Sequence, residues 1–321
     1  MQFWREQLST TSLSSHSQPR QRHLSDRSII NLFIWPTLVL LILMNVFPLF
    51  YSLFLSFTNY SAIAHKAPVW IGFKNFADLL NDEQMWKYFA TTGKYALVSV
   101  GLQTLFGFGL AMLLHEKFKG SGLITTLILI PMMISPVVVG LFWKLMYNPT
   151  FGYFNYLIGF TNPIKGPDML ASSFARHSVP GLALWAVVLV DVWMWTPFVM
   201  LLVLSGLKAI PDYLYEAAAI DRASSWFQFW RITVPQVTPL LLIAILFRTI
   251  EAFKSFDLVM GMTGGGPGDQ TELIAVNLYR QAFQGQWQTG RSSALAYIIL
   301  IIIIAVSNLY ILYLNRMRGE A

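Results

Sequence analysis

Long apolar stretches separated by short polar segments dominate the pattern along the chain. The first of them, residues 29–57, contains no charged side chain. A helix needs about 20 apolar residues to cross the hydrocarbon layer of a membrane. The pattern therefore predicts an all-α membrane protein with six spans, at residues 29–57, 88–114, 123–146, 181–207, 237–256 and 292–314.

The composition agrees with a chain that faces lipid. Of the 321 residues, 55% are hydrophobic and 12% are charged, whereas a soluble domain carries about 25% charged residues. The net charge of +6 comes from basic residues scattered between apolar runs, and a nucleic-acid surface gathers such residues on one face. We therefore expect membrane lipid, and no nucleic acid, among the partners.

The positions of the basic residues predict an orientation in the membrane. Arg20, Arg22 and Arg27 precede the first span, and the next basic residue is Lys66. Basic residues favour the cytoplasmic side, so both chain ends are expected inside. The expected organisation is a disordered cytoplasmic tail over residues 1–28, a six-span domain over 29–315 with an inside loop at 208–236, and a short cytoplasmic tail over 316–321.

The sequence contains no pattern of catalytic or metal-binding residues. The absence of cysteine excludes disulfides and thiolate chemistry. The five histidines lack metal-ligand spacing, and HExxH and GxSxG motifs are absent. Three glycines at 264–266 precede Pro267 and not the Gly-Lys-Ser/Thr of a P-loop. We predict neither enzyme activity, nor an ATPase site, nor a cofactor on this chain.

The inside loop carries the most specific pattern. Pro211 suits the first turn of a helix, and residues 213–220 are mostly good helix formers. Ser225 with Gln228 forms a capping-box pattern for a second helix. Pro235 is expected to interrupt that helix before the fifth span. The sequence thus predicts a helix–turn–helix outside the bilayer.

This loop resembles the EAA loop of ABC-importer permease subunits. The family pattern is Glu-Ala-Ala, three variable residues, Gly, about nine more residues, and then Ile-x-Leu-Pro. Glu216, Ala217 and Ala218 match its beginning, and Ile232 and Pro235 match its end. In that family the loop also lies between the fourth and fifth spans. The resemblance implies that this helix docks on a separate ATP-hydrolysing subunit.

Two positions depart from the family pattern. Arg222, next to Asp221, stands at the family glycine, and Val234 stands at the family leucine. Valine is a mild change. An arginine costs roughly 1 kcal/mol if the turn needs a left-handed residue. A regular turn, or an arginine that contacts the partner, is equally compatible with the sequence.

The resemblance extends over residues 29–315 and favours the carbohydrate-transporting branch, similar to the maltose and glycerol-phosphate permeases. Its further matches are residues 72–76, Leu79, Leu80, residues 131–143, Gly152, Asn155, residues 253–257 and 263–267, and Thr271. It implies a type I importer architecture in a bacterial cytoplasmic membrane, carrying a sugar, a polyol or a related phosphate. The implied partners are a second permease subunit, two ATP-binding subunits that hold ATP and Mg, and an extracytoplasmic solute-binding protein.

Four ionisable residues lie within or beside the predicted spans, where such groups usually face a cavity or form pairs. Arg248 and Glu251, three apart on a helix, are expected to pair unless they face a pathway. Asp191 lies among three tryptophans, at positions 185, 193 and 195, which either contact a sugar or pack against helices and lipid. The predicted substrate path consists of Asp191, Trp193, Trp195 and Lys254.

Two other classes of protein remain open at this stage. A secondary transporter or channel needs paired inverted repeats or broken helices at the membrane midplane, and the sequence displays no clear repeat. A membrane enzyme needs a nucleophile or a metal constellation, and neither pattern is present.

Overall fold

The computed structural model of the protein describes residues 26–64, 67–116, 118–148, 152–153, 182–285 and 287–319. These residues are mainly helical, and their only β-pairing is an isolated bridge between Thr58 and Trp70. The all-α prediction is confirmed. The α-helices are α1 (Asp26–Leu41), α2 (Phe47–Ser56), α3 (Lys74–Leu80), α4 (Glu83–His115), α5 (Ser121–Met133), α6 (Pro136–Met146), α7 (Leu182–Ala209), α8 (Asp212–Ile220), α9 (Ser225–Gln228), α10 (Val234–Phe253), α11 (Asp257–Met262), α12 (Ile274–Phe283) and α13 (Thr289–Gly319).

Five helical stretches in the described residues are long and apolar enough to cross a membrane. They are Ile30–Ser56, Glu83–His115, Leu182–Ala209, Ser225–Phe253 and Thr289–Arg316. Each overlaps a predicted span. A sixth span exists if α5 and α6 are counted together.

The third predicted span is not a straight helix, because α5 and α6 meet at an angle of 95°. Pro136 occupies the first turn of α6, and Ser135 before it is extended, with φ −58° and ψ 134°. A residue before proline is disfavoured in the helical region, because the proline ring clashes with its backbone. The span predicted over residues 123–146 is therefore broken at 134–135.

The chain divides into two compact units, Met1–Tyr51 and Ser52–Ala321. In the first unit, a π-helical turn at Ile42–Val46 joins α1 to α2, and the Phe47 N–H donates to the Ile42 carbonyl. Pro48 follows this turn. In a regular α-helix its ring would clash with the carbonyl four residues earlier. The wider turn accommodates the proline within a continuous helix.

In the second unit, α7 is the central helix. Of its most apolar 18-residue window, 67% is buried, against 11% for α13. Its closest neighbour is α4, which approaches it at Gly107. A Cβ atom there would lie 2.7 Å from the Val199 Cβ, closer than two carbon atoms can pack. Small residues permit this close approach between membrane helices, so Gly107 fixes the spacing of α4 and α7.

A short polar helix packs against the end of the first span. After the first span, the buried Asn75 Nδ2 of α3 donates to the Ser56 and Thr58 carbonyls, both at 2.8 Å. Asn75, within the family-like segment 72–76, thus fixes α3 to the end of α2. Of the other matches, Asn155 lies outside the described residues.

The glycine run at 264–266 forms a tight turn between α11 and α12. Gly264 and Gly265 have φ of +61° and +93°, which side chains rarely adopt. Buried Glu272 pairs with Arg280 at 2.6 Å, and Arg280 also donates to the Gly264 carbonyl. Burial raises the pKa of Glu272, and Arg280 offsets only part of that increase. The turn is therefore fixed by one partly compensated buried carboxyl.

Candidate functional site: the coupling loop and a buried polar cluster

Helix α8 presents two different faces. Leu214 and Tyr215 pack against the apolar core formed with α7 and α10, and Ala218 is buried. The Tyr215 hydroxyl lies 2.9 Å from the Thr233 hydroxyl, which connects α8 to the beginning of α10. Glu216 and Ala217 are exposed on the opposite face. The two alanines of the family motif thus have different surroundings, since one packs inward and the other lies on the surface.

Arg222 ends α8 in a left-handed conformation, with φ +54°. Its N–H donates to the Ala219 carbonyl at 3.1 Å, and the Ala223 N–H donates to the Ala218 carbonyl at 2.9 Å. These two bonds are those of a Schellman motif, which usually places glycine at this position. The turn therefore needs a left-handed residue, and the alternative of a regular turn is wrong. Asp221 caps α8 beside it.

The second helix of the loop begins one residue earlier than predicted. Ser224 is the N-cap, and its hydroxyl accepts from the Phe227 N–H at 3.3 Å. The prediction of a cap at Ser225 is wrong, because the extended backbone that a cap requires occurs at Ser224. Gln228 donates to the Ala223 carbonyl at 3.1 Å and so supports the turn from the other side.

Pro235 does not interrupt the second helix. A π-helical turn at Phe229–Thr233 precedes it, and the chain is helical from Ser225 to Phe253. The wider turn accommodates the proline ring, as it does before Pro48. The expected break is therefore wrong, and the loop's second helix is one piece with the fifth span.

A buried polar cluster joins three of the spans. Arg248 Nη2 lies 3.4 Å from both carboxylate oxygens of Asp191, and both side chains are 3% exposed. Gln103 donates to Asp191 Oδ2 and accepts from Arg248 Nε, each at 2.8 Å. The guanidinium carbon lies 4.6 Å above the Trp195 ring, a cation–π geometry. Helices α4, α7 and α10 are thus connected by one charge-balanced network.

The expected pair between Arg248 and Glu251 is not formed, because Arg248 faces inward to Asp191. Glu251 instead pairs with Lys254 at 2.8 Å, and both side chains are about half exposed, at 54% and 52%. These two residues, with Trp195 and Ser255, border a small cleft of about 90 Å³ beside the buried cluster. The structure thus places three of the predicted path residues, Asp191, Trp195 and Lys254, around one cleft.

Trp193 lies elsewhere. It lines an apolar groove between α4, α5 and α7, and its ring meets Trp143 edge to face at 5.6 Å. Residues two apart on a helix do not share a face, so Trp193 and Trp195 point in different directions.

Gln103 is the member of the buried polar cluster that the sequence did not reveal. It is fully buried and bridges the two charges. The sequence indicates it only as a single amide side chain in the middle of an apolar span, where a polar side chain needs a hydrogen-bond partner. Among the described residues there is no group of three His, Cys, Asp or Glu that could hold a metal ion.

The described residues thus form a bundle of apolar helices with an exposed loop helix before the fifth span. Residues 103–318 match the family described as the binding-protein-dependent transport system inner membrane component. The chain belongs to this family of ABC-importer permeases, which are not enzymes.

Two similar relatives cover almost the whole chain. The trehalose/maltose transport system permease protein MalF of Thermococcus litoralis is 32% identical over 90% of this chain and 94% of its own length. The trehalose transport system permease protein SugA of Mycobacterium tuberculosis (strain H37Rv) is 29% identical over 95% and 94%. These matches confirm the resemblance stated from the sequence.

A solved structure shares the fold. It is a chain of a bacterial ABC transporter involved in the import of the acidic polysaccharide alginate. The likeness has a TM-score of 0.75 and 19% identity, and it covers 90% of this chain and 95% of that chain. A second structure of an alginate transporter, solved in complex with a periplasmic protein bound to an alginate pentasaccharide, has a TM-score of 0.73 at 20% identity, covering 90% and 93%. The type I importer architecture is therefore confirmed.

Proposed function

We propose that this chain is the membrane subunit of an ATP-driven importer for a sugar or a related hydroxylated solute, such as a polyol or its phosphate. The observation that carries the proposal is the exposed face of α8, which displays Glu216 on a helix fixed to the fifth span. The names of the relatives, which transport trehalose or maltose, support the solute class.

Closure of the ATP-binding subunits is transmitted to the fifth span because α8 is attached to that span. The Tyr215 hydroxyl, 2.9 Å from the Thr233 hydroxyl, attaches α8 to the beginning of α10, and the Schellman bonds fix the turn that follows α8, so a push on its exposed face moves both helices. The ATP-binding subunits, which hold ATP and Mg, close on ATP and displace Glu216 and Ala217. Arg222 and Pro235 complete the coupling loop, because they fix its turn and its junction with the fifth span.

The assembly contains a second permease subunit and two ATP-binding subunits, with no cofactor on this chain. An extracytoplasmic binding protein delivers the solute, as the alginate transporter in complex with a periplasmic protein suggests by analogy. The inside loop faces the cytoplasm, in agreement with Arg20, Arg22 and Arg27 before the first span. The location is a bacterial cytoplasmic membrane.

The coupling role is tested with Glu216→Ala in vesicles that contain the complete importer. Glu216 is exposed, so its loss leaves the fold intact and removes only a contact to the partner. We expect uptake to fall at least tenfold, while the ATPase activity no longer responds to the loaded binding protein. Uptake of radiolabelled trehalose and phosphate release are measured on the same vesicles.

The matched control is Glu83→Ala, which removes an exposed carboxylate at the first turn of α4. Uptake by this variant should equal that of the wild type. Normal transport by Glu216→Ala would contradict the coupling role. Uptake that continues when the ATP-binding subunits cannot hydrolyse ATP would instead indicate a secondary transporter or channel.

We further propose that the cleft beside Asp191, Trp195 and Lys254 lies on the solute path. An aromatic ring next to polar groups suits a sugar, whose ring has apolar faces and hydroxyl edges. Asp191 already has Arg248 and Gln103 as partners, so it acts mainly by positioning the guanidinium under Trp195. Trp193 belongs to the sequence-based set but lines the separate apolar groove.

Two tryptophan variants distinguish these locations. Trp195→Phe keeps an aromatic ring but removes the indole, and we expect the KM for uptake to rise several-fold because the cleft is reshaped. Trp193→Phe is the matched variant on the other face of α7, where no change in KM is expected. Equal changes in KM for Trp195→Phe and Trp193→Phe would show that the solute does not pass through the cleft. Unchanged uptake in both Trp195→Phe and Asp191→Asn would show the same.

A further inference from the structure

The two halves of the coupling loop carry opposite charge. From residue 212 to 221 the charged residues are Asp212, Glu216 and Asp221, all acidic and all exposed. From 222 to 231 they are Arg222 and Arg231, both basic and exposed. Neither arginine forms an ion pair within the described residues. The loop therefore offers two surfaces of different chemistry within 20 residues.

The basic half also carries exposed aromatic rings. Trp226, Phe227 and Trp230 are 71%, 53% and 50% exposed. On a helix these residues and Arg231 occupy one contiguous arc, because neighbours on a helix face are three or four residues apart. We call Trp226, Phe227, Trp230 and Arg231 the aromatic-basic face.

This face is attached to the helix bundle through Phe229. Trp226 and Trp230 meet edge to face at 5.6 Å, and Phe229 lies 5.1 Å from Trp230. Phe229 in turn contacts Phe108 of α4 at 6.0 Å. The rings are thus anchored on the helix bundle, so their height along the membrane normal is fixed by the bundle.

The height of the face follows from helix geometry. The hydrocarbon layer takes about 20 residues, and α10 spans Val234–Phe253 with 20 residues. The half-exposed pair of Glu251 and Lys254 marks its polar end. At about 1.5 Å per residue, Trp230 lies roughly 6 Å beyond Val234, and Trp226 roughly 12 Å. A headgroup layer is about 5–7 Å thick, so Trp230 lies within it and Trp226 lies roughly 5 Å beyond it, on the aqueous side.

We propose that the aromatic-basic face binds anionic phospholipid headgroups of the leaflet on the loop side. Indole rings favour the headgroup level, where an apolar body and an N–H donor are both satisfied. Arginine binds phosphate through two parallel hydrogen bonds. The acidic face of α8 would be repelled by the same lipids and remains free for the protein partner. The inference goes beyond the proposed function, which it uses only to identify this leaflet as cytoplasmic.

The absence of cysteine from the chain permits site-directed spin labelling without background on this subunit. The variants are Trp226→Cys and Trp230→Cys on the aromatic-basic face, and Tyr213→Cys on α8, which is 64% exposed. Each is placed in nanodiscs of phosphatidylcholine and phosphatidylglycerol, with and without the ATP-binding subunits. Collision rates with oxygen and with a water-soluble nickel chelate report the depth of the label.

We expect the label at 230 to lie at headgroup depth, and the label at 226 just outside it, whether or not the ATP-binding subunits are present. The label at 213 should be in water without those subunits and shielded with them. If the label at 230 is in water and becomes shielded only on assembly, the face is a protein interface and the proposal is wrong.

A second measurement leaves the rings intact and therefore does not depend on the tryptophan variants. Native mass spectrometry counts retained phosphatidylglycerol in the wild type, in Arg231→Gln and in the control Lys74→Gln, whose exposed lysine lies in α3. One basic residue near a membrane surface contributes about a fivefold preference for anionic lipid. We expect the preference for phosphatidylglycerol to fall by this factor in Arg231→Gln and to stay unchanged in Lys74→Gln. Equal retention by all three proteins would overturn the anionic preference, whatever the outcome of uptake by Glu216→Ala.

Discussion

Charged side chains are exposed in the coupling loop, whereas at the centre of the helix bundle they are buried and paired. In the bundle, Asp191 and Arg248 are buried and partnered through Gln103. In the loop, Asp212, Glu216, Arg222 and Arg231 are exposed and solvated. A charge in a low-dielectric interior must be compensated by its own chain, whereas water compensates a surface charge and leaves it available to a partner. Burial thus separates charges that organise this protein from charges that connect it to others.

The largest effect that this contrast predicts is on stability. Asp191→Ala leaves the Arg248 guanidinium buried without a counter-charge, and removal of one member of such a pair costs about 3–5 kcal/mol. Reversible unfolding in mixed micelles with increasing dodecyl sulfate measures the change. The double variant Asp191→Ala, Arg248→Met leaves no unpaired buried charge, so it should recover most of the unfolding free energy lost in Asp191→Ala.

Glu251→Ala is the matched control for this experiment. Glu251 and Lys254 are about half exposed, and exposed pairs contribute about 0–1 kcal/mol. If Glu251→Ala destabilised the protein as much as Asp191→Ala, burial would not be the factor that distinguishes the two pairs.

A smaller effect is expected at the turn of the loop. Arg222→Gly places at φ +54° the residue that adopts this conformation without strain, which should stabilise the turn by about 1 kcal/mol. Hydrogen exchange of the Arg222 and Ala223 amides, which form the Schellman bonds, should slow about fivefold. Arg222→Ala keeps the strain and serves as the control. Faster exchange in Arg222→Gly would mean that the arginine side chain itself stabilises the turn.

The smallest predicted effect depends on pH and concerns Glu272, a buried carboxyl outside the spans. Its pKa is raised by burial, so its contribution to stability is present below the unfolded pKa and is lost as pH rises through the folded value. Glu272→Gln, which stays neutral, should therefore be slightly more stable than the wild type at neutral pH and equal to it in acid. Thermal unfolding at several pH values measures this. A variant that is less stable only at neutral pH would show that the pair with Arg280 outweighs the burial cost.

The sequence predicted the fold well because the membrane imposes one dominant pattern. Apolar runs of about 20 residues can only be helices or barrel strands in lipid, and all five continuous spans were located. The loop between α7 and α10 was predicted as two helices, with a strained position at Arg222 as one of its alternatives. These features depend on local sequence, such as run length, capping residues and glycine positions.

The errors concern interactions between distant residues and the response of a helix to proline. For Arg248 the sequence indicated either a pair with Glu251, three residues away, or a position facing a pathway, because the proximity of Asp191 and Gln103 exists only after α4, α7 and α10 pack. Three prolines had different outcomes. Pro136 accompanies a 95° bend, but Pro48 and Pro235 each follow a π-helical turn within a continuous helix. Run length and composition did not distinguish these cases.

The π-helical turn at Phe229–Thr233 has a mechanical consequence. Because it keeps Pro235 within the helix, Ser225–Phe253 is a single rod of 29 residues, about 43 Å long. A rod of this length acts as a lever, so a tilt of about 10° displaces one end by about 7 Å relative to the other. A break at Pro235 would have formed a hinge that absorbs such torque inside the loop. The extra residue in one turn thus lets a small rotation at the membrane surface become a displacement on the far side.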